Sequence, residues 1–184
     1  MVKIGLIIGS TRKNSYSRAI ANQSIALLPD DIEVKEIKID KLPLYNQDLD
    51  DEGNPPTSWI NFRKELKEVD GIIFVTPEHN RSVPAALKNA IDVGSRPYGE
   101  NAWDGKPAAI ISQSPGSVGG FGANHHLRQM LVFLNMPTLQ QPEAYIGNVT
   151  NFLDDNLKVI NDGTIKFLKN IMDDFVLLLH RYKN

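Results

Sequence analysis

Four short apolar runs, set between longer segments with helical periodicity, constrain this chain more than any other feature of it. They are "VKIGLIIG" (2–9), "IEVKEIKI" (32–39), "GIIFVT" (71–76) and "PAAIISQS" (107–114), with a weaker fifth near "MPTLQ" (136–140). Helix-period segments separate them at about 15–28, 57–68, 84–95 and 120–134, and a last helix is predicted over 163–182. Runs that are apolar along their whole length have no solvent face. A sheet made of them must be covered by helices on both sides, which parallel strands with helical crossovers achieve. The spacing therefore predicts an α/β fold of three layers around a five-stranded parallel sheet. The second run intersperses Ile32, Val34, Ile37 and Ile39 with charged residues, which suits a sheet edge and gives the strand order 2-1-3-4-5. Right-handed crossovers then put ligands beyond the carboxyl ends of the strands, where the strand order reverses.

Charge and cysteine usage narrow the chemistry. The chain has 20 Lys and Arg against 22 Asp and Glu, a net charge of -2, so no basic excess exists to neutralise nucleic acid or an anionic membrane. With no cysteine, a disulfide framework, a thiolate metal site and a cysteine nucleophile are excluded, and redox work requires a bound cofactor. The 184 residues, 41% of them hydrophobic, suit one domain over 1–184. The opening apolar run is too short to span a bilayer, and no cleavage pattern follows it. A soluble, cytoplasmic protein is expected. The acidic, proline-containing stretch 40–56 reads as a surface loop in which Leu42, Leu44, Tyr45 and Leu49 pack.

Three strand ends carry the polar groups. After the first run, "GSTRKNS" (9–15) enters a helix, where unpaired N–H groups, hydroxyls and Arg12 together suit an anion. It is neither a Walker A loop nor the dinucleotide glycine fingerprint. Read alone, it is equally a plain helix start, capped by Asn14 or Ser15 with Arg12 in solvent. After the third run, "PEHNRSVPAALKNAID" (77–92) places Glu78, His79, Asn80 and Arg81 in a short loop between Pro77 and Pro84. Pro77 ends the strand, Pro84 starts the next helix, and Ser82 is the expected cap. After the fourth, "SPGSVGGFGANHH" (114–126) supplies Gly116, Gly119, Gly120 and Gly122, which allow close approach of backbone to a ligand. His125 and His126 are adjacent, point apart on a helix and cannot share one metal. They are assigned structural or interface roles.

Taken together, "GSTRKNS", "PEHN" with "SVPAALKNAID", and "SPGSVGG", in this order and spacing, resemble the NAD(P)H-dependent FMN reductase family of flavodoxin-like proteins, which includes quinone, azo-dye and chromate reductases. The resemblance implies that Ser10, Arg12, Ser15 and Ser17 bind the FMN phosphate, and that Pro77, Glu78, His79 and Asn80 line the isoalloxazine edge through backbone. It further implies that Ser114, Gly116 and Gly119 close the other side of the ring. The family usually has tyrosine in place of His79 and often asparagine in place of Ser17. No catalytic side chain is required, because a bound flavin carries its own hydride chemistry. The implied activity is ping-pong transfer from NADPH or NADH to a quinone, azo compound, free flavin or similar small acceptor. A homodimer or homotetramer, with the helix at 84–95 as contact element, follows from the same resemblance. Two alternatives stand beside it: a flavodoxin-like electron carrier, for which -2 is a weak charge, and a non-catalytic nucleotide-binding module.

Overall fold

The strands form as the apolar runs dictate. A computed structural model describes residues 1–183. In it β1 (Val2–Ile8), β2 (Ile32–Glu36), β3 (Gly71–Pro77), β4 (Ala108–Gln113) and β5 (Ala144–Ile146) make one parallel sheet in the order β2-β1-β3-β4-β5. The helices are α1 (Tyr16–Ile25), the short α2 (Gln47–Asp51), α3 (Thr57–Lys67), α4 (Ala85–Gly94), α5 (Phe121–Phe133) and α6 (Asp162–Tyr182). Alternate residues of the central strands point into two separate cores. Ile7, Ile72, Phe74 and Ile110 meet α3, α4 and α5 on one face. Ile4, Ile8, Ile73 and Ile111 meet α1 and α6 on the other. Burying each such side chain contributes about 1.5–3 kcal/mol, which is why both faces must be covered.

Two expectations need correction. The fifth strand is not at 136–140: only Thr138 bridges to Ala108, and the ladder resumes at Ala144–Ile146 beside Ile111–Gln113. Pro137 and Pro142 lack the N–H a continuous ladder needs, so the edge is split. The buried Asn124 and the neighbouring Arg128 of α5 hold the two pieces, donating to the carbonyls of Ala144 (3.3 Å) and Leu139 (3.0 Å). Stretch 40–56 is also more than a loop, since it contains α2 and is strapped down. Asn89 of α4 accepts from Tyr45 N–H (2.8 Å) and donates to the carbonyls of Leu42 and Pro43 (3.2 and 3.0 Å). Leu42, Tyr45 and Leu49 pack as expected, whereas Leu44 is exposed. Arg63 of α3 meets Asp50 in a buried bidentate pair at 2.7 and 2.8 Å. That hydrogen bonding holds the Asp50 carboxyl below its ordinary range.

The carboxyl ends of β1, β3 and β4 are brought to one edge by their register, Ile8 opposite Val75 and Pro77 opposite Gln113. Gly9 marks the exit from β1. Its N–H donates to Val75 (2.8 Å), and a Cβ there would lie 2.5 Å from Thr76 Oγ1.

Candidate functional site

The β1 end is a cradle of exposed polar groups. Ser10, Thr11, Arg12, Lys13 and Asn14 are exposed or half-exposed. Ser15 is buried and is the N-cap of α1, its hydroxyl accepting from Arg18 N–H at 3.1 Å. This satisfies one of the unpaired donors of the first turn and leaves the N–H groups of Tyr16 and Ser17 facing the helix end. The Arg12 guanidinium lies 5.9 Å from the Tyr16 ring centroid and donates to the Asn14 carbonyl at 3.4 Å. Ser17 is placed otherwise than a surface phosphate ligand: it is fully buried, and its hydroxyl accepts from Gln113 Nε2 at 2.8 Å.

The β3 end is a tight turn. His79 and Ser82 exchange both backbone hydrogen bonds at 2.9 Å, with Asn80 and Arg81 between them at φ 50° and 65°. Two successive left-handed residues inside such a pair make a type I′ hairpin turn, in which asparagine is comfortable and arginine is strained. The loop is tied to α5 by its side chains. Glu78 Oε2 accepts from Ala123 N–H (3.2 Å) and Oε1 from Arg81 (3.2 Å). Helix α5 starts at Gly120 in left-handed geometry without a side-chain cap, so the Glu78 carboxylate does the capping from another strand end. Ser82 is not the cap of α4, whose N-cap is Pro84 with no side-chain bond. Its hydroxyl is hydrogen-bonded to His126 Nδ1 at 3.0 Å, a second tie to α5. The turn borders an open cavity of about 610 Å³ lined in part by His79, Asn80, Lys88 and His126.

The β4 end is held by close packing. Ser114 Oγ accepts from Gly116 N–H at 3.0 Å. Gly119 has φ 64°, and a Cβ on it would sit 2.7 Å from the Tyr145 carbonyl carbon. Next to this loop Phe121, His125 and Tyr145 cluster, the His125 and Tyr145 rings tilted against Phe121 with centroids 4.1 and 5.3 Å away, and His125 Nε2 lies 2.8 Å from the Tyr145 hydroxyl. Burial, and after it the neighbouring Glu143, push the Tyr145 hydroxyl up to about 12, so it stays protonated in this bond. His125 and His126 each have a hydrogen-bond partner in the fold, Tyr145 and Ser82, and among the described residues no group of three or more His, Asp or Glu is placed to hold a metal.

The residues fit the expected flavin mononucleotide. Beyond the cradle and turn, Gln113 Oε1 is buried and has no hydrogen-bond partner among the described residues. A buried acceptor is costly to leave unpaired, and a hydroxyl-rich ligand would supply its donor. The sequence reading missed Gln113. The signal was present, as the polar residue closing an otherwise apolar run.

The profile of the NADPH-dependent FMN reductase family matches residues 2–151. A quinone reductase from Pseudomonas putida is 54% identical over 172 residues, 94% of this chain and 91% of that protein. A 2-hydroxy-1,4-benzoquinone reductase from Burkholderia sp is 38% identical, covering 95% of this chain and 94% of its own. Among solved structures, the flavoenzyme NAD(P)H:(acceptor) oxidoreductase FerB from Paracoccus denitrificans superposes with a TM-score of 0.91 at 34% identity, over 99% of both chains.

Proposed function

The chain belongs to the NADPH-dependent FMN reductase family, and from that premise we propose that it is an FMN-dependent NAD(P)H oxidoreductase acting on quinones and similar small acceptors. FMN, when bound, supplies the hydride chemistry. The protein supplies position. The first-turn N–H groups of α1, with Ser10, Ser15 and Arg12, take the phosphate as charge-assisted donors. Ser17 contributes its backbone N–H and, through its hydroxyl, orients Gln113. Pro77, Glu78, His79 and Asn80 present backbone to one edge of the ring, and Ser114, Gly116 and Gly119 close the other side.

The observation that carries this reading is the pairing, on adjoining strand ends, of an exposed anion cradle with a stiff backbone shelf. The turn at 79–82 is bonded at both ends and tied to α5, so the ring edge meets a preformed surface and little ordering is left to complete on binding. Donor and acceptor are proposed to use the same open face in turn. No helix among the described residues is long and apolar enough to cross a membrane. We place the protein in the cytoplasm as a homodimer or homotetramer, with residues 1–184 forming one FMN-binding domain and α4 contributing to the subunit contact.

An absorption spectrum of the purified protein, before and after anaerobic NADPH, tests the cofactor and reaction together. Bound yellow flavin that bleaches within seconds, followed by parallel initial-rate lines with a quinone, is the expected result. A colourless protein that gains no thermal stability from FMN would refute it.

A further inference from the structure

We propose that the cleft beyond the carboxyl ends of β1 and β2 receives the 2′-phosphate of NADPH and makes NADPH the preferred reductant; this rests on the oxidoreductase reading above. The cleft encloses about 220 Å³, and its charged lining is Arg12, Lys13, Arg18, Glu36, Lys38 and Asp40. These groups are not balanced. Arg18 is committed to Glu36 through two hydrogen bonds of 2.8 and 3.0 Å, a pairing that holds the Glu36 carboxyl below its ordinary value. Arg12, Lys13 and Lys38 have no carboxylate within ion-pair distance among the described residues, so three cations face the single remaining acid, Asp40. This local excess of positive charge sits on a chain of net charge -2.

Such an imbalance suits a dianionic group. Of the two nicotinamide donors only NADPH carries one away from the pyrophosphate, where NADH has a neutral hydroxyl. The position agrees with that assignment. The nicotinamide must lie over the ring, beyond β3 and β4, and the adenosine end must lie elsewhere. Along the order β4-β3-β1-β2, the centre of the ring site and the centre of the cleft are two strand spacings of roughly 4.8 Å each apart. An extended dinucleotide laid along this edge, past the phosphate cradle, reaches it. Ser10 and Arg12 are shared with the cradle, whereas Lys13 and Lys38 are exposed and serve the cleft alone.

The test uses the FMN-loaded enzyme and the double variant Lys13→Gln/Lys38→Gln, with Lys38→Gln as a milder partner. The expected result is an increase of about tenfold or more in KM for NADPH, the loss of one or two charge-assisted hydrogen bonds, with KM for NADH and affinity for FMN unchanged. Calorimetric titration of the same proteins should show 2′,5′-ADP binding more tightly than 5′-ADP to the wild type only. Equal shifts for the two nucleotides, no shift for either, or indifference of the wild type to the 2′-phosphate would overturn the proposal. So would weakened FMN binding in the double variant, which would assign the cleft to the flavin phosphate. Failure of either nucleotide to bleach the flavin would count against the oxidoreductase reading instead, and the ADP titration would still decide whether the cleft takes a 2′-phosphate.

Discussion

The β1–α1 cradle and the β3–α4 shelf lie at the same edge of the sheet, yet their internal bonding differs. The cradle is held between Gly9 and Ser15 by long contacts, Arg12 N–H to Ser10 Oγ at 3.3 Å and the Arg12 side chain to Asn14 at 3.4 Å. The shelf has a doubly bonded turn, a carboxylate capping α5 and a hydroxyl–imidazole bond, and the β4–α5 loop facing it adds glycine backbone packed against the β5 exit. A charged ligand can order a loose loop through its own hydrogen bonds. A flat ring takes its hydrogen bonds only in its own plane, along one edge, so a surface that receives it gains from being rigid beforehand. The cradle is thus specified by residue type and the shelf by shape.

This contrast can be broken by substitution. The largest effect is expected for Gly119→Ala, which imposes φ 64° on a side-chain residue and brings Cβ to 2.7–2.9 Å from the backbone of Tyr145, Ile146 and Gly147. A loss of about 3 kcal/mol in urea unfolding, with flavin released, should follow. Gly116→Ala meets only Ser114 Oγ at 3.5 Å and should stay within about 0.5 kcal/mol of wild type; similar losses at both positions would show that close packing at Gly119 is not what makes the β4–α5 loop rigid. Next comes Arg12→Ala, which should leave the thermal midpoint of the apoprotein in place while FMN titration shows binding weaker by about 2 kcal/mol. A drop in apoprotein stability would mean that the cradle is as rigid as the shelf. Glu78→Ala removes the α5 cap, so about 1 kcal/mol of stability should be lost. Hydrogen exchange at the Ala123 amide reads this directly.

The smallest effect is that of pH on the Arg18–Glu36 pair. Hydrogen bonding to Arg18 lowers the Glu36 carboxyl from 4.5, so the unfolded chain binds the proton more readily. The stabilisation is complete above that value and disappears as pH falls through the lower folded one. Both side chains are about one-third exposed, at 38% and 31%, which limits the contribution to a few tenths of a kcal/mol. The stability difference between wild type and Glu36→Gln should therefore shrink as pH drops from 7 to 3.

Legibility in the sequence follows the same division. Four strands, the long helices and the strand order come from periodicity, which a covered parallel sheet writes plainly. The start of α1 is legible because hydroxyls at a helix start have a local reason to be there, and Ser15 does cap α1 as one of the two expected residues; the proposed anion cradle rests on the same local pattern. Shelf contacts are not. Glu78 and Ala123 are 45 residues apart, Ser82 and His126 44, and no local pattern links them. Arg81 hides the hairpin turn by standing where glycine would announce it, and Pro84 takes the cap position expected of Ser82. Strand β5 escapes notice because three residues carry no period.

The split margin at β5 has a further consequence. An uninterrupted row of free N–H and C=O groups would recruit extended segments from other chains and seed fibrillar growth. Here one margin offers only Thr138 and Ala144–Ile146, in two pieces. The other, β2, carries Glu33 and Lys35, and Lys35 is drawn to Glu65 of α3 and to Glu68, which caps that helix. A split margin on one side and charged residues on the other both disfavour strand addition to this all-parallel sheet.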